Sequence, residues 1–378
     1  MNTPTASSNR CDRARRGRAG SGLFVALILL ASACAPAASP PAGSTTTANA
    51  PAPSAANAHP ATGERPSPPA APTPPPTRLA LAVGAAGGAT LPLWVGLEAG
   101  LFEQRGVLVD AQVLAGTRSV QALAAGEVQA ATGDALGVAS AVLNGLDLAV
   151  IATVVPTLLY KIMVRPSITG PEGLRSARFG ITTRGSSTDY TAHQVLARWG
   201  LDADRDVTLL ELRDQAGILA GLQGGSVDAV VMGSPTQQMA ARLGYQSLLS
   251  VADLNVEYGL STISAQRPAI AAQRDLYLRF LEGYVAGIQR MKSDRAFTLD
   301  VAARVNKLDE RDLLDDYYAT FAPHTASYPR TPPGAIQAAL DLLAAALPGA
   351  RDLRPEAIID NSLLDELQAA GRLPPGSQ

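Results

Sequence analysis

The chain has 378 residues, a formal net charge of -2 and only 4% aromatic residues. This near balance of charge leaves no broad basic surface for nucleic acid, and so few aromatic side chains disfavour a base-stacking platform. Cysteine occurs only as Cys11 and Cys34. The sequence after residue 34 therefore has no disulfide framework, no thiolate nucleophile and no cysteine-based metal site.

An apolar run from Leu23 to Ala33 follows an arginine-rich start and ends directly before Cys34. The run is about 11 residues long, well short of the ~20 residues that a membrane-spanning helix needs. This pattern is typical of a secretory signal and resembles the lipobox of bacterial lipoproteins. We expect residues 1–33 to be a signal peptide and Cys34 to be the lipidated first residue of the mature protein. An ordinary signal peptide with an incidental cysteine is the alternative, and the arginine pair at 15–16 leaves twin-arginine export open.

Residues 34–77 after the predicted cleavage site are rich in Pro, Ala, Ser and Thr and contain almost no large apolar side chains. Such a segment cannot bury enough surface to offset the entropy of ordering it. Its prolines favour extended backbone, so it predicts a semi-stiff tether between the lipid anchor and a folded body.

The body begins near residue 78 and first alternates strands with helices. The predicted elements are a strand running into a glycine-rich loop at 78–88, a helix at 91–106, a strand at 107–114, a turn and helix at 116–128, a strand, turn and helix at 129–145, and a strand at 147–155. The alternation restarts with a strand, loop and helix at 177–201, a strand at 206–213, a helix at 215–225, and a strand, loop and helix at 227–244. Consecutive helices follow at 268–294, 297–307, 310–321, 333–347 and 360–370.

This order predicts an α/β architecture with mostly parallel sheets, in two lobes of similar plan, followed by a helical C-terminal part. We expect residues 78–164 to form the first part of lobe 1 and residues 165–257 to form lobe 2. Residues 258–378 would then return to lobe 1 and supply the C-terminal helices. Two lobes joined by crossing segments make a cleft.

Four segments carry a family resemblance. They are LPLWVGLEAGLFEQRGV at 91–107, LAAGEVQAATGD at 123–134, LQGGSVDAVVMGSPTQQMAARLGY at 222–245 and IDNSLLDELQAAG at 359–371. The first is similar to the P-x-W-x-A-x-E-x-G-L-F signature of ABC-transporter substrate-binding proteins of the nitrate, sulfonate, taurine and thiamine-precursor type. The resemblance implies a periplasmic-binding-protein type II fold and delivery of a small solute to a membrane permease.

Open α/β sheets bind ligands beyond the carboxyl ends of their strands, where this sequence places short polar turns. In the stretch RGSSTDYTAH (184–193), a helix is predicted to begin beside Ser186, Ser187, Thr188 and Asp189. Free backbone N–H groups at such a helix start favour an anion or an electronegative group. Plain helix capping explains the same residues equally well.

Other candidate ligand contacts lie on the remaining turns. Trp94 could stack on a ligand or belong to the core, and Asp134 suits a cationic or hydroxylated ligand or caps a helix. Arg118 could clamp a sulfonate or carboxylate, or be an ordinary surface residue. The full predicted set of ligand contacts is Trp94, Thr117, Arg118, Gly133, Asp134, Ser186, Ser187, Thr188, Asp189 and Ser234. Tyr160, Tyr190 and Tyr245 are further possible cleft walls.

Catalysis finds little support in the residues. His193 follows Asp189 by four positions, but the sequence has no G-x-S-x-G elbow, no H-E-x-x-H pair and no Walker or Rossmann fingerprint. We therefore expect a protein that is not an enzyme and that has no cofactor and no metal.

The combined interpretation is an extracytoplasmic, lipid-anchored, monomeric binding protein. Its partners would be a small-molecule ligand and an ABC permease with its ATPase, and lobe closure around the solute would couple binding to docking. An enzyme on the same fold, similar to a pyrimidine-precursor synthase, and a ligand-sensing module for a receptor remain alternatives.

Overall fold

A computed structural model of the protein describes residues 76–85, 87–114, 118–344 and 346–373. The predicted signal peptide, Cys34, all but the last two residues of the tether and Thr117 lie outside these ranges, so the expectations made for them stay predictions. Among the described residues, no helix combines the length and the apolar character that crossing a membrane requires.

The described residues form two five-stranded sheets. The first has the order β2-β1-β3-β10-β4. Its strands are β1 (Thr77–Val83), β2 (Val107–Val113), β3 (Ala130–Gly133), β4 (Leu148–Thr157) and β10 (Glu257–Gln266). The second has the order β7-β6-β8-β5-β9. Its strands are β5 (Lys161–Val164), β6 (Arg178–Ile181), β7 (Thr208–Glu211), β8 (Ala229–Met232) and β9 (Gln246–Ser250).

Each sheet contains one strand that runs against the others. In the first sheet β10 is antiparallel to both β3 and β4, and in the second β5 is antiparallel to both β8 and β9. The prediction of mostly parallel sheets therefore holds for the remaining strands. These reversed strands are the two that follow a crossing from one sheet to the other, since β5 comes after β4 and β10 comes after β9.

The crossings also fix where the chain changes sheets. It leaves the first sheet after Thr157 and enters the second at Lys161, and it returns between Ser250 and Glu257. Strand β5 thus belongs to the second sheet, although the predicted first part of lobe 1 extended to residue 164. Lobe 1 is therefore the part of the chain built on the first sheet, and lobe 2 is the part built on the second.

Helices follow the strands in the order that the sequence predicts. They are α1 (Leu91–Glu98), α2 (Arg118–Ala124), α3 (Ala135–Leu143), α4 (Ser187–Arg198), α5 (Gln215–Gln223), α6 (Thr236–Arg242), α7 (Arg267–Ala272), α8 (Arg274–Ser293), α9 (Arg295–Asn306), α10 (Arg311–Phe321), α11 (Pro333–Leu343) and α12 (Ser362–Ala369). The last six form the helical C-terminal part. Residues of α8, α9 and α12 join the largest core cluster with β1 and β4, which returns these helices to lobe 1.

Close helix packing depends on glycine at one position. Gly287 of α8 lies against the backbone of Pro92 and Gly96 of α1, where a Cβ atom would collide with the Pro92 carbonyl oxygen. The absence of a side chain at Gly287 lets the two helices approach backbone to backbone. This contact holds α1, and with it Trp94, against α8.

Candidate functional site

The register of β10 determines which residues meet at the crossing between the sheets. Thr262 pairs with Gly133, the last residue of β3, and its hydroxyl donates to the Gly133 carbonyl at 3.1 Å. The residues that precede Thr262 therefore run past the end of β3 and along the start of α3. Gly259 lies so close to Ala135 that an added Cβ atom would come within 2.9 Å of the alanine Cβ. Because Gly259 follows Tyr258 and Ala135 follows Asp134, this contact places Tyr258 beside Asp134.

Asp134 caps α3, since its Oδ1 accepts a hydrogen bond from the Gly137 N–H at 3.0 Å. Burial raises the pKa of this carboxyl above its ordinary value, and backbone N–H groups oppose that rise only in part. No lysine, arginine or histidine of the described chain forms an ion pair with it. Capping thus uses one oxygen of a carboxylate that lacks a cationic partner.

Tyr160 stands between β4 and β5 on the first crossing and reaches into lobe 2. Its hydroxyl is 2.8 Å from Oγ of Ser187, the first residue of α4. Burial raises the pKa of Tyr160 to about 12, the Ser187 hydrogen bond lowers it, and the charge of Asp134 adds a smaller rise. The direct contact that the crossing makes with lobe 2 is therefore the Tyr160–Ser187 hydrogen bond.

Tyr258 begins the return to lobe 1 and is fully buried. Its ring stacks on Tyr190 of α4 with the centroids 5.5 Å apart. Its hydroxyl has no hydrogen-bond partner among the described residues. Burial, and to a smaller extent the charge of Asp134, raise the pKa of this phenol well above its ordinary value. A buried phenol without a partner is uncommon, because an unmade hydrogen bond costs about 1–3 kcal/mol.

We call these five residues, Asp134, Tyr160, Ser187, Tyr190 and Tyr258, the crossover cluster. The turn after β8 adjoins it, since a Cβ atom on Gly233 would lie 3.4 Å from the Tyr160 ring. Gln215 accepts from the Gly233 N–H at 2.8 Å and fixes that turn. The next residue, Ser234, has a buried Oγ without a hydrogen-bond partner.

The hydroxyls at the start of α4 are largely occupied by one another. Ser186 is the N-cap residue, and its Oγ lies 2.8 Å from Oγ1 of Thr188 and 3.0 Å from Oγ1 of Thr182. Asp189 accepts from the Gly185 N–H at 2.8 Å. Capping therefore accounts for Ser186, Thr188 and this oxygen of Asp189, whereas the hydroxyl of Ser187 is directed to Tyr160.

The remaining predicted contacts are scattered. Trp94 packs against the largest core cluster, with a buried Nε1 that has no hydrogen-bond partner. Arg118 is exposed at the first residue of α2. Tyr245 donates its hydroxyl to the Leu222 carbonyl within lobe 2. The structure thus joins Ser187 to Tyr160, with the turn of Gly233 and Ser234 beside them. It places Gly133 and Asp134 where β10 passes the start of α3, and it leaves Arg118 apart from these contacts.

A second contact joins the lobes through α6 and α10. Gln238 donates to Oγ1 of Thr320 at 3.3 Å, and Arg242 lies 3.8 Å from Asp312. The Oε1 atoms of Gln237 and Gln238 are buried without hydrogen-bond partners. The lobes therefore touch both at the crossings and at these two helices.

Features that would support catalysis are sparse in the described chain. His193 lies 3.5 Å from Asp189, its neighbour one helical turn earlier on α4. No group of three or more His, Cys, Asp or Glu side chains among the described residues could hold a metal ion.

Residues 89–295, more than half of the chain, match the NMT1/THI5-like family. The chain belongs to that family. The resemblance predicted from the four sequence segments is therefore confirmed. No curated protein matches the sequence of this NMT1/THI5-like chain.

Solved structures share its fold. The alkanesulfonate-binding protein SsuA from Xanthomonas axonopodis pv. citri, bound to MOPS, is 22% identical, covers 78% of this chain and 98% of its own, and has a TM-score of 0.61. The aliphatic sulphonate binding protein SsuA from Escherichia coli is 20% identical over 75% of this chain and 99% of its own, with a TM-score of 0.63. The nitrate-binding protein NrtA from Synechocystis PCC 6803 is 12% identical over 80% of this chain and 92% of its own, with a TM-score of 0.59. The predicted two-lobed periplasmic-binding-protein fold is thereby confirmed.

Sequence reasoning missed Tyr258 because it missed β10. That strand reads EYGLSTISAQ, and Ser261, Thr262 and Ser264 are buried in it. Hydroxyl residues are usually exposed, so the segment lacks the apolar signal of a buried strand. Topology could have indicated this strand, because the predicted return of residues 258–378 to lobe 1 requires a segment that rejoins the first sheet.

Proposed function

We propose that this protein is the extracytoplasmic solute-binding component of an ABC importer, anchored through lipidated Cys34. It takes up a small polar or anionic organic solute, of the sulfonate, nitrate, taurine or pyrimidine-precursor class, and delivers it to the permease. The two lobes close on the solute, and the closed form docks on the membrane partner. Binding involves no chemical step.

One observation carries this proposal: polar groups of both lobes converge where the chain crosses between the sheets. Asp134 comes from lobe 1, Ser187 from lobe 2, and Tyr160 lies on the crossing itself. A solute that touches both lobes stabilises the arrangement in which they are together, because those contacts exist only in that state. Family membership and the shared fold support the same interpretation.

The test is a ligand screen of the full chain by thermal shift with nitrate, ethanesulfonate, taurine and 4-aminopyrimidine. A solute at 100 times its dissociation constant adds about 2.7 kcal/mol to the free energy of unfolding. We expect a solute that raises the melting temperature also to reduce the radius of gyration in small-angle X-ray scattering. Saturable binding with an unchanged radius would refute lobe closure, and no binding by any class would refute the function.

The anchor needs a separate experiment. We expect wild-type protein in the membrane fraction and Cys34→Ser protein in the soluble extracytoplasmic fraction, with the mass of the lipid lost. Equal membrane retention of both proteins would contradict lipidation.

A further inference from the structure

The chemistry of the crossover cluster narrows the solute class, on the basis of the proposed function. Its one ionisable acid is Asp134, which is paired with no basic side chain of the described chain. An anion placed beside this carboxylate would be repelled and would find no cation in compensation. A solute group with N–H donors would instead be attracted, because it supplies the hydrogen-bond partner that the carboxylate lacks.

Tyr258 is the second and independent observation. Its side chain is fully buried and its hydroxyl is unpartnered. Its neighbour Gly259 packs against Ala135, the neighbour of Asp134, yet no hydrogen bond joins Tyr258 to Asp134 among the described residues. A donor group between them would satisfy the phenol oxygen and the carboxylate together.

The surroundings of the phenol are apolar. Tyr190 and Tyr258 stack with their ring centroids 5.5 Å apart, and both belong to the buried core cluster of lobe 2. A hydrogen bond to the Tyr258 hydroxyl would therefore be made away from water, where it is electrostatically stronger.

We propose that the crossover cluster binds an amino or ammonium group of the solute, with its N–H groups donating to the Asp134 carboxylate and to the Tyr258 phenol oxygen. No bond is made or broken. The proposal selects solutes that carry nitrogen donors, whatever the remainder of the molecule, and it excludes solutes such as nitrate and simple sulfonates that offer only acceptors.

The test compares solutes that differ only in the amino group. We would measure binding to the full chain by calorimetry for taurine against ethanesulfonate, 4-aminopyrimidine against pyrimidine, and benzylamine against benzyl alcohol, with nitrate as a simple anion. We expect at least one amine to bind and its amine-free partner to bind about tenfold or more weakly.

Variants then locate the contact. Asp134→Asn retains a good helix cap but removes the charge, so we expect the affinity for the amine to fall about tenfold to a hundredfold with little change in melting temperature. Tyr258→Phe should lower the affinity about two- to tenfold. The matched control is Asp214→Asn on α5, since Asp214 caps its helix through Gly217 at 2.7 Å just as Asp134 does through Gly137. The control should leave the affinity unchanged.

The outcomes separate this inference from the function on which it rests. If only nitrate or ethanesulfonate binds, or if an amine binds with the same affinity to Asp134→Asn, the amine site is wrong while solute binding stands. If no solute of either kind binds the wild-type chain, both fail. Loss of amine affinity in Asp214→Asn as well would reduce Asp134 to a structural cap and overturn the assignment.

Discussion

The two sheets share one strand order and are both covered on two faces, but by cores of different size. Lobe 1 is packed on both sides, by α8, α9 and α12 on one face and by α2, α3 and α11 on the other. Its fully buried aromatic side chains include Phe102, Phe280, Tyr277 and Tyr284. Lobe 2 has smaller clusters, in which Phe179 and Tyr258 are the fully buried aromatic side chains among the described residues.

Both lobes carry surface ion pairs, and one group of them lies at the edge of the second sheet. Arg178 makes a bidentate contact with Asp228, at 2.9 and 2.7 Å, and Arg165 lies 3.4 Å from the same carboxylate. Such pairs contribute little compared with apolar burial. The comparison teaches that one topology can be stabilised by a thick core in one lobe and by a smaller core in the other. We infer that lobe 2 opens locally before lobe 1.

The largest expected effect is in the core of lobe 1. Phe280 is fully buried and stacks on Phe102 with ring centroids 5.6 Å apart. Phe280→Ala should lower the free energy of unfolding by about 3–5 kcal/mol, through lost burial and a cavity. Urea denaturation measures it, with Leu243→Ala as the control, because Leu243 is 54% exposed and should cost at most about 0.5 kcal/mol. A loss below about 1 kcal/mol for Phe280→Ala would contradict the thick core.

How far the sequence predicted these lobes depends on where the apolar residues lie. The βα units of both lobes were predictable because Leu79, Ile181 and Val230 stand in short apolar runs between turn signals. Strand β5 was not, because no α-helix follows it to complete a βα unit, and β10 was not, because its buried residues include serines and threonines. The same limit applies to the predicted site. Asp134 and Ser187 were predicted because they stand in polar turns next to predicted helices. Tyr258 belongs to the site only through the register of a strand that no local pattern revealed.

The next effect concerns the crossing that joins the lobes. Tyr160 and Ser187 share a hydrogen bond of 2.8 Å in a partly buried position. Tyr160→Phe and Ser187→Ala should each destabilise the protein. Their double-mutant cycle should give a coupling free energy of about 0.5–1.5 kcal/mol. The control is the pair Tyr245→Phe and Ser187→Ala, whose side chains share no hydrogen bond, so their effects on the free energy of unfolding should add. Additive effects at Tyr160 and Ser187 would instead show that the two side chains do not interact energetically.

A pH-dependent effect belongs to the edge of lobe 2. Hydrogen bonds from Arg178 lower the pKa of Asp228 below its ordinary value of 3.8, and Arg165 adds to this. Because the folded pKa is the lower one, the pair stabilises the protein above pH 3.8, and that contribution is lost as the pH falls through the folded pKa. Asp228→Asn should cost about 1 kcal/mol at pH 7 after solvent screening, since Arg178 is partly exposed.

That difference should shrink steadily as the pH is lowered in urea titrations. Asp275→Asn on α8 is the control, as its carboxylate is exposed and pairs only with Arg279 one helical turn away. A deficit of Asp228→Asn that grows at low pH would show the sign to be wrong.

The smallest effect tests whether the lobes communicate away from the crossings. Arg242 of α6 lies 3.8 Å from Asp312 of α10, and both side chains are well exposed. Asp312→Asn should therefore change the free energy of unfolding by less than about 0.5 kcal/mol. The pair links lobe 2 to the C-terminal helices, so its contribution exists only while the lobes are together, and any solute that binds between them should bind about twofold more weakly to this variant.

Salt at about 1 M should erase this difference, because a surface pair is screened. Asp315→Asn is the matched control, since Asp315 lies on the same helix but pairs with Arg295 within lobe 1 at 2.8 Å. Equal affinity losses in both variants would show that the charge of α10, rather than contact between the lobes, governs the response.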